Sequence, residues 1–572
     1  MTQHKRTRPV QKKDEIKKDE NAVRFIPLGG LEEVGRNCSL LEYKDEIIVI
    51  DVGIQFPEEE TPGIDYIIPN ITYLEPRKQN IRGIIFTHGH YDHIHALPYL
   101  LEKLGNPVIY TAPFTKALIE KRLVEFPNLP KAKFIIIKNG DRFKISENFE
   151  AEFFDISHTI YDAMGMIIHS PAGKLVHFGD FRLDIDRNGK PVNLETFERL
   201  GKMGDIHTIF LDSTNATKLG HAISEELITE NLEELLKKAK GRLIIATFAS
   251  LLTRLKAMVA IAERIGRKVA LNGRSMKDNF AIAQSLGYIK PNQGTIITVE
   301  EVNKYPDEKI MILTTGGQGE PNAGLMRMVN GEHRHVSLKT KDTVVFSSSV
   351  VPGNERSVQA LQDNISRKVD ELYNYSFLDI HAGGHCHSED LKLVMKLVKP
   401  KYIIPIHGYY FMRKSVMKLA EEIGLKREQV VVMDNGEVAQ ITKDNFTITS
   451  ETVPASYVMV DGLGVGDVEE VVLRDRRMLS AEGMIVIIMT LERKTGRIVK
   501  NPDIISRGFI LIKDNKHLLD EIRKRLRNLV ERIPRQEAEP DYVKSLIRDQ
   551  IGQFVYSKTK RRPMILPVLI EI

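Results

Sequence analysis

The sequence predicts a multidomain α/β protein, and three observations predict it. The chain has 572 residues with 42% hydrophobic content, enough for several buried cores and about three or four domains. Short apolar runs separated by turn residues fill the first third, and alternating strand-like and helix-like runs follow from about residue 220. After Pro454 the pattern changes again, to an Ile/Val/Met-rich run, an amphipathic stretch and a terminal apolar run.

Residues 1–20 are charged throughout, lack the apolar centre of a secretory signal and read as a flexible tail. Residues 24–28, 38–43 and 46–51 read as a β-meander, and 83–86 as a strand running into a histidine cluster. Helical periodicity begins at Ile94, and two further strands end in FDISHT and HFGDF. Ser224 reads as the N-cap of a helix with Ile228, Leu232, Leu235 and Leu236 on one face. Strand GRLIIATF, a helix over 255–265, and strands KVALNG, KIMILTTG and KDTVVFSSSV then alternate as a parallel α/β unit, closed by the last of them. A helix, the strand KYIIPIHG and a meander over VVVMDNGEVAQI fill residues 384–450. Beyond the linker come a strand over 483–491, a helix carrying Leu519, Ile522, Leu526 and Leu529 on one face, and a last strand MILPVLIEI, as in a small α+β domain.

No apolar run of about 18 residues is present, so no membrane span is expected. The two cysteines, Cys38 and Cys386, exclude a disulfide framework and fit a reducing cytoplasm. A metal site must then rest on histidines and carboxylates. The net charge of +5 does not argue for nucleic acid by itself. The basic run KTKRRP and the N-terminal tail read equally as solvated surface or as phosphate-attracting patches.

The chemistry concentrates in FTHGHYDHIHALPYL. A strand delivers His88 to a sheet end, and His90, two residues on, faces the same side of a near-extended segment. Asp92 and His93 lie past the turn and can aim at a second point nearby. One loop can thus serve two adjacent ions, and this nitrogen and oxygen donor set suits zinc or manganese. Four distant segments offer further ligand types at strand ends: His158, Asp180, His385 and His407.

The set HGHYDH, His158, Asp180 and His407 resembles the metallo-β-lactamase superfamily. Its β-CASP branch is indicated by LDST (Asp212 to Thr214), GGH at His385 and PIHG at His407. With GGLEEVGRN, TFAS, NGRSM, GGQGEPNAGL, SSSVVPGNE, VDGLGVGD and TKRRPMILPV, the chain is similar to bacterial-type ribonuclease J from about residue 22 to its end. The resemblance implies a metallo-β-lactamase αββα sandwich with an inserted α/β β-CASP domain and a small C-terminal α+β domain. The expected boundaries are 21–222 and 384–450 for the first domain, 223–383 for the insertion, 451–470 for a linker and 471–572 for the last domain. It also implies a two-metal ribonuclease with 5′-to-3′ exonuclease and endonuclease activity in RNA maturation and decay, rRNA processing included. In such an enzyme a metal-activated hydroxide leaves 5′-phosphate and 3′-OH ends. The expected substrate is single-stranded RNA with a 5′-monophosphate, and the expected metals are zinc, with manganese as the alternative. A homodimer or homotetramer, an RNA-degradation complex or ribosome as partner, and a cytoplasmic location complete the expectation.

Carried over residue by residue, His88, His90 and His158 should hold one ion, and Asp92, His93 and His407 the other. Asp180 should bridge them, Asp212 should orient ligand histidines, and His385 should contact the scissile phosphate. Ser347, Ser348, Gly384, His385, Cys386 and His387 are the expected substrate contacts, and Arg254, Arg274 and Lys277 are candidates for a cationic RNA channel. TGGQGE lacks the spacing of a nucleotide P-loop. Six positions depart from the family pattern. Tyr91 stands where Glu or Ala is usual and is expected to pack rather than ligate. His95 replaces Gly and is expected outside the ligand set, near it or at the surface. Tyr409 replaces an acidic residue, Cys386 a small one, and Leu251–Leu252 a more polar pair. The complete set of seven ligand types argues against a non-catalytic RNA-binding subunit, and the insertion against a thioester or lactam hydrolase. His407 and the C-terminal domain argue against a DNA-repair nuclease of the same branch.

Overall fold

Strand alternation builds a sandwich from the first 220 residues and from those after 400. In the computed structural model the described residues are 19–572, without 58–60, 187, 352, 375–379, 382, 467–469, 494, 496, 511–514 and 534–538. Most of the expected N-terminal tail therefore lies outside the described residues. The chain divides into two compact units, one of residues 1–55 and 68–457, the other of 56–67 and 458–572.

In the first unit, Val23–Gly29, Cys38–Tyr43 and Glu46–Ile50 pair antiparallel as the expected meander. Ile81–Ile85, Val108–Thr111 and Lys133–Ile136 then add in parallel. The hairpin Glu437–Ile441 and Phe446–Thr452 returns to the other edge beside Val23–Gly29, so the sheet has eight described strands. A second sheet of six orders Tyr402–Ile406, Ile206–Asp212, Gly173–His177, Met164–Ser170, Glu150–Asp155 and Arg142–Lys144. Period-two alternation sends Phe153, Met166, Ile168, Leu175 and Phe210 inward against Phe25, Leu41, Ile48 and Ile85 of the first sheet. The rings of Phe25 and Phe210 meet at 4.5 Å. The neighbours Phe154, Ile167, Val176 and Ile209 point outward and bury under helices Glu195–Met203, Ser388–Val398 and Tyr410–Glu422 through Phe197, Leu391, Val394 and Val416. This is a helix–sheet–sheet–helix sandwich, with Pro113–Leu123 on the far side of the first sheet.

The inserted unit is a parallel sheet ordered Ile296–Ile297, Lys268–Asn272, Ile310–Thr314, Leu243–Ala246, Thr343–Phe346 and Glu371–Asn374. Its central strands are buried on both faces, which is why they read as unbroken apolar runs. Thr343–Phe346 does not close this sheet, because Glu371–Asn374 adds beyond it; that short, half-buried edge carries little apolar signal. Ser224 caps helix Glu225–Lys238 by accepting from the N–H groups of Glu226 and Leu227, with the four expected residues buried. The next helix, Leu252–Arg264, starts three residues earlier than its periodicity suggested.

The second unit pairs Met484–Leu491 antiparallel with Asp503–Arg507 and parallel with Met564–Glu571. Helices Lys516–Glu531 and Pro540–Thr559 pack on this sheet through Leu519, Ile522, Leu526 and Ile547. Segment 56–67 joins it through Ile64 and Ile67 against Leu473, and the Asp65 N–H donates to the Val460 carbonyl. No described helix is long and apolar enough to cross a membrane.

Candidate metal centre

The strand Ile81–Ile85 leads into Thr87–His88, and the chain then turns into a single helical turn, Tyr91–Ile94. The helix thus starts three residues before Ile94, with His90 extended at its N-terminus. This places Asp92 and His93 on the turn itself, stepped away from His88 and His90. His88, His90 and His158 converge into one group of donor atoms. His90 Nδ1 lies 3.0 Å from His88 Nε2 and 3.1 Å from His158 Nε2. Asp92, His93, Asp180 and His407 form a second group. Asp180 Oδ2 is 3.2 Å from His93 Nε2 and 3.9 Å from His88 Nε2, so it reaches towards both groups. Its Oδ1 is 3.3 Å from His407 Nδ1, and His407 Nε2 is 3.2 Å from Asp92 Oδ2.

Acceptor-only partners settle which ring nitrogens point inward. The His158 Nδ1–H donates to the Gly384 carbonyl at 2.8 Å, which leaves Nε2 as the lone pair. The His93 Nδ1–H donates to Asp51 Oδ2 at 2.8 Å, again leaving Nε2. The Thr87 hydroxyl donates to the same Asp51 oxygen at 2.8 Å, and its lone pair accepts from His88 Nδ1–H at 3.0 Å. Asp51 also accepts from the Thr87 N–H at 2.9 Å. Converging imidazole lone pairs about 3 Å apart repel one another unless a cation lies among them. This chemistry fits divalent metal.

Burial and the neighbouring imidazoles hold His88 well below its ordinary pKa, burial and His90 do the same to His158, and burial brings His90 down to about 4. The first group is therefore neutral, the state in which imidazole ligates metal. In the second group burial is outweighed by carboxylates. Asp180, Asp92 and Asp51 lift His93 well above its usual range, and Asp180 with Asp212 and Asp92 raises His407 to about 10. Positive charge is favoured at this point, and a bound cation would replace those protons. His407 itself sits at φ +51°, an uncommon conformation for a non-glycine residue.

His385 stands beside both groups, its ring 5.4 Å from that of His158 and 5.5 Å from that of His407. The His385 Nδ1–H donates to Asp212 Oδ2 at 2.7 Å. Burial opposes the charged ring, but Asp212 raises its pKa above the ordinary value. The Thr214 hydroxyl donates to Asp212 Oδ1 at 2.7 Å and lies 2.9 Å from His407 Nδ1, so the LDST turn holds both histidines.

The expected substrate contacts divide. The Ser347 hydroxyl already donates to the Ile380 carbonyl and accepts from Arg254 Nη1. The Ser348 hydroxyl is buried and has no hydrogen-bond partner among the described residues. A Cβ on Gly384 would come within 2.4 Å of the His158 ring, so glycine here lets the ring seat. The Cys386 thiol is not presented to a pocket. It lies in the core under helix Ser388–Val398, and burial lifts its pKa well above 9. The His387 N–H donates to Asp390. Arg254 does not line a channel: it is 1% exposed and held by Glu225, Ser347 and Ile380, whereas Arg274 and Lys277 are exposed. His95 is not at the surface; burial takes its imidazole down to about 3, and Tyr91 stacks on it.

Residues 31–218 match the metallo-β-lactamase superfamily, 240–365 the ribonuclease J β-CASP domain, and 471–572 the ribonuclease J C-terminal domain. The chain is 37% identical to Ribonuclease J 1 of Streptococcus pyogenes serotype M3, over 96% of this chain and 98% of that protein. The chain belongs to the ribonuclease J family. Ribonuclease J2 of Bacillus subtilis is 35% identical over 97% of this chain and all of its own length. A crystal structure of a protein of unknown function from Enterococcus faecalis V583 covers 73% of this chain at 15% identity, with a TM-score of 0.54, and shares the fold. The αββα sandwich with an inserted β-CASP domain is thus the family's architecture.

Asp51 is the residue that ribonuclease J motifs and spacing did not single out. It reads as a strand end in DVG, and its partner His93 lies 42 positions away. Asp51→Asn would put an amide NH2 against His93 Nδ1 and favour the wrong tautomer. Metal affinity at the second group should fall by about 10–100-fold in a competition titration with a chelating dye. Unchanged affinity would remove Asp51 from the site.

Proposed function

We propose that the protein is a two-metal ribonuclease that degrades single-stranded RNA 5′-to-3′ from a 5′-monophosphate end and also cuts internally. The observation that carries this reading is the meeting of two ligand groups at Asp180, with His385 beside both. His88, His90 and His158 would hold one ion, Asp92, His93 and His407 the other, and Asp180 both. Zinc suits the donor set, with manganese as the alternative. Bound there, the ions would supply positive charge to phosphoryl oxygens and lower the pKa of a shared water towards about 7.

The chain's own residues do the rest. Asp51, Thr87, Gly384 and Thr214 fix the imidazoles before substrate arrives. Asp212 fixes His385 by Nδ1, leaving Nε2 to meet a phosphoryl or leaving oxygen. The buried Ser348 hydroxyl needs an acceptor or donor, and a 5′-phosphate oxygen supplies one. No ribose 2′-OH is required as nucleophile, so products carry 5′-phosphate and 3′-OH ends. The same reading places the protein in the cytoplasm as a homodimer or homotetramer, working in RNA maturation and decay with a degradation complex or the ribosome.

End-labelled 5′-monophosphate and 5′-triphosphate RNAs test this with purified protein. The monophosphate RNA should be degraded faster, a chelator should stop the reaction, and zinc or manganese should restore it. Chelator-resistant cleavage, or no cleavage with either metal, would sink the proposal.

A further inference from the structure

We propose that Tyr91 is a stacking platform for an RNA base next to the scissile phosphate, and so a specificity-determining residue of this centre. The proposal rests on the ribonuclease reading above and adds a base contact to it.

Tyr91 lies between His90 and Asp92, its Cα one peptide step, about 3.8 Å, from each. Of the ligand candidates in the HGHYDH run, those two reach solvent: His90 is half-buried and Asp92 is 30% exposed, while His88 and His93 are buried. The partly exposed ligand candidates of this run thus flank Tyr91, which is itself 40% exposed.

The ring is also held still. It stacks on His95 at 4.1 Å with an interplanar angle of 23°, the i,i+4 neighbour on one helical turn. His95 is 6% exposed and so forms a fixed floor. The Tyr91 carbonyl accepts from the N–H groups of both His95 and Ile54, which pins the backbone beneath the ring.

A flat, pinned and partly exposed aromatic beside a phosphate-cleaving centre suits a nucleobase. Every base has a π-face, so the contact tolerates any sequence, as an enzyme that degrades a strand stepwise requires. Pre-ordering by His95 reduces the entropy lost when a base is bound.

The test pairs deletions on the two sides of the contact. A series of 5′-monophosphate RNAs would each carry one abasic ribonucleotide at successive positions around the cleaved bond. For wild type, kcat/KM should fall about tenfold when the abasic position is the one facing Tyr91. Tyr91→Ala should show the same loss on intact RNA and no further loss on the abasic one. Tyr91→Phe should behave as wild type, and Tyr91→Leu, apolar but not planar, as Tyr91→Ala. Metal content of each variant confirms an intact centre. If Tyr91→Ala and Tyr91→Leu respond to the abasic series as wild type does, or if no abasic position affects wild type, the platform is refuted while the ribonuclease stands. If wild type cleaves none of these RNAs, the ribonuclease reading itself fails and the platform with it.

Discussion

Asp180→Ala should abolish RNA cleavage while leaving RNA binding largely intact. The carboxylate reaches towards both clusters, 3.9 Å from His88 Nε2 on one side and 3.2 Å from His93 Nε2 on the other. It is also the strongest attraction that offsets burial at both His93 and His407. Its removal leaves three histidines facing each other in the first group and too little negative charge in the second to hold a divalent ion. Metal charge on a phosphoryl transition state is worth several kcal/mol, so kcat should drop by at least about three orders of magnitude. RNA affinity should change little, because a long strand is held by many phosphate contacts of which the centre supplies few. Metal analysis, turnover and fluorescence anisotropy with labelled RNA check the three parts separately. An Asp180→Ala protein that keeps its fold and still cleaves at near wild-type rate would show that the hydrolytic centre lies elsewhere. His88→Ala should lose cleavage for the related reason that it removes one of three ligands from the first group.

How much of this was legible in the chain depends on distance along it. The HGHYDH run is local, so its ligand spacing shows in the sequence, and Ser224 with its four buried apolar partners is a local pattern too. The αββα sandwich is implied by the family motifs and not by periodicity, because strands such as Val23–Gly29, Cys38–Tyr43 and Glu46–Ile50 are buried along their whole length and read as plain apolar runs. What stayed hidden depends on register between distant strands. Asp51 becomes a partner of His93 only because strands Glu46–Ile50 and Ile81–Ile85 run side by side and end together. Arg254 looks like a channel cation until Glu225, on the preceding helix, is seen to neutralise it in the core. Helices Arg274–Ser285, Glu355–Ser366 and Tyr410–Glu422 do bury apolar residues at helical spacing, such as Val358, Leu361 and Ile365, but each stripe is only about two turns long within a polar run and is a weak signal. Segment 56–67 joins the second unit through two isoleucines, a signal too small to read from sequence.

His385→Ala should cut kcat by on the order of 100- to 1,000-fold while metal content stays at the wild-type level. Its ring stands 5.4 Å and 5.5 Å from the rings of His158 and His407, so it faces the space between both groups. Its Nδ1–H is committed to Asp212 at 2.7 Å, which orients Nε2 and favours the protonated ring. A hydrogen-bond donor placed there interacts most strongly when the phosphoryl and leaving oxygens carry their greatest charge. The loss should therefore fall on kcat rather than on KM. Asp212→Asn separates orientation from charge. It keeps a side chain of the same shape but cannot stabilise an imidazolium, and it should lose a large part of the same activity with Thr214 still held. Imidazole added to the His385→Ala enzyme should restore part of kcat, because the void left by the ring admits a free donor. A His385→Ala enzyme with unchanged kcat, or one whose loss tracks missing metal, would reassign His385 from the leaving oxygen to the support of His158 and His407.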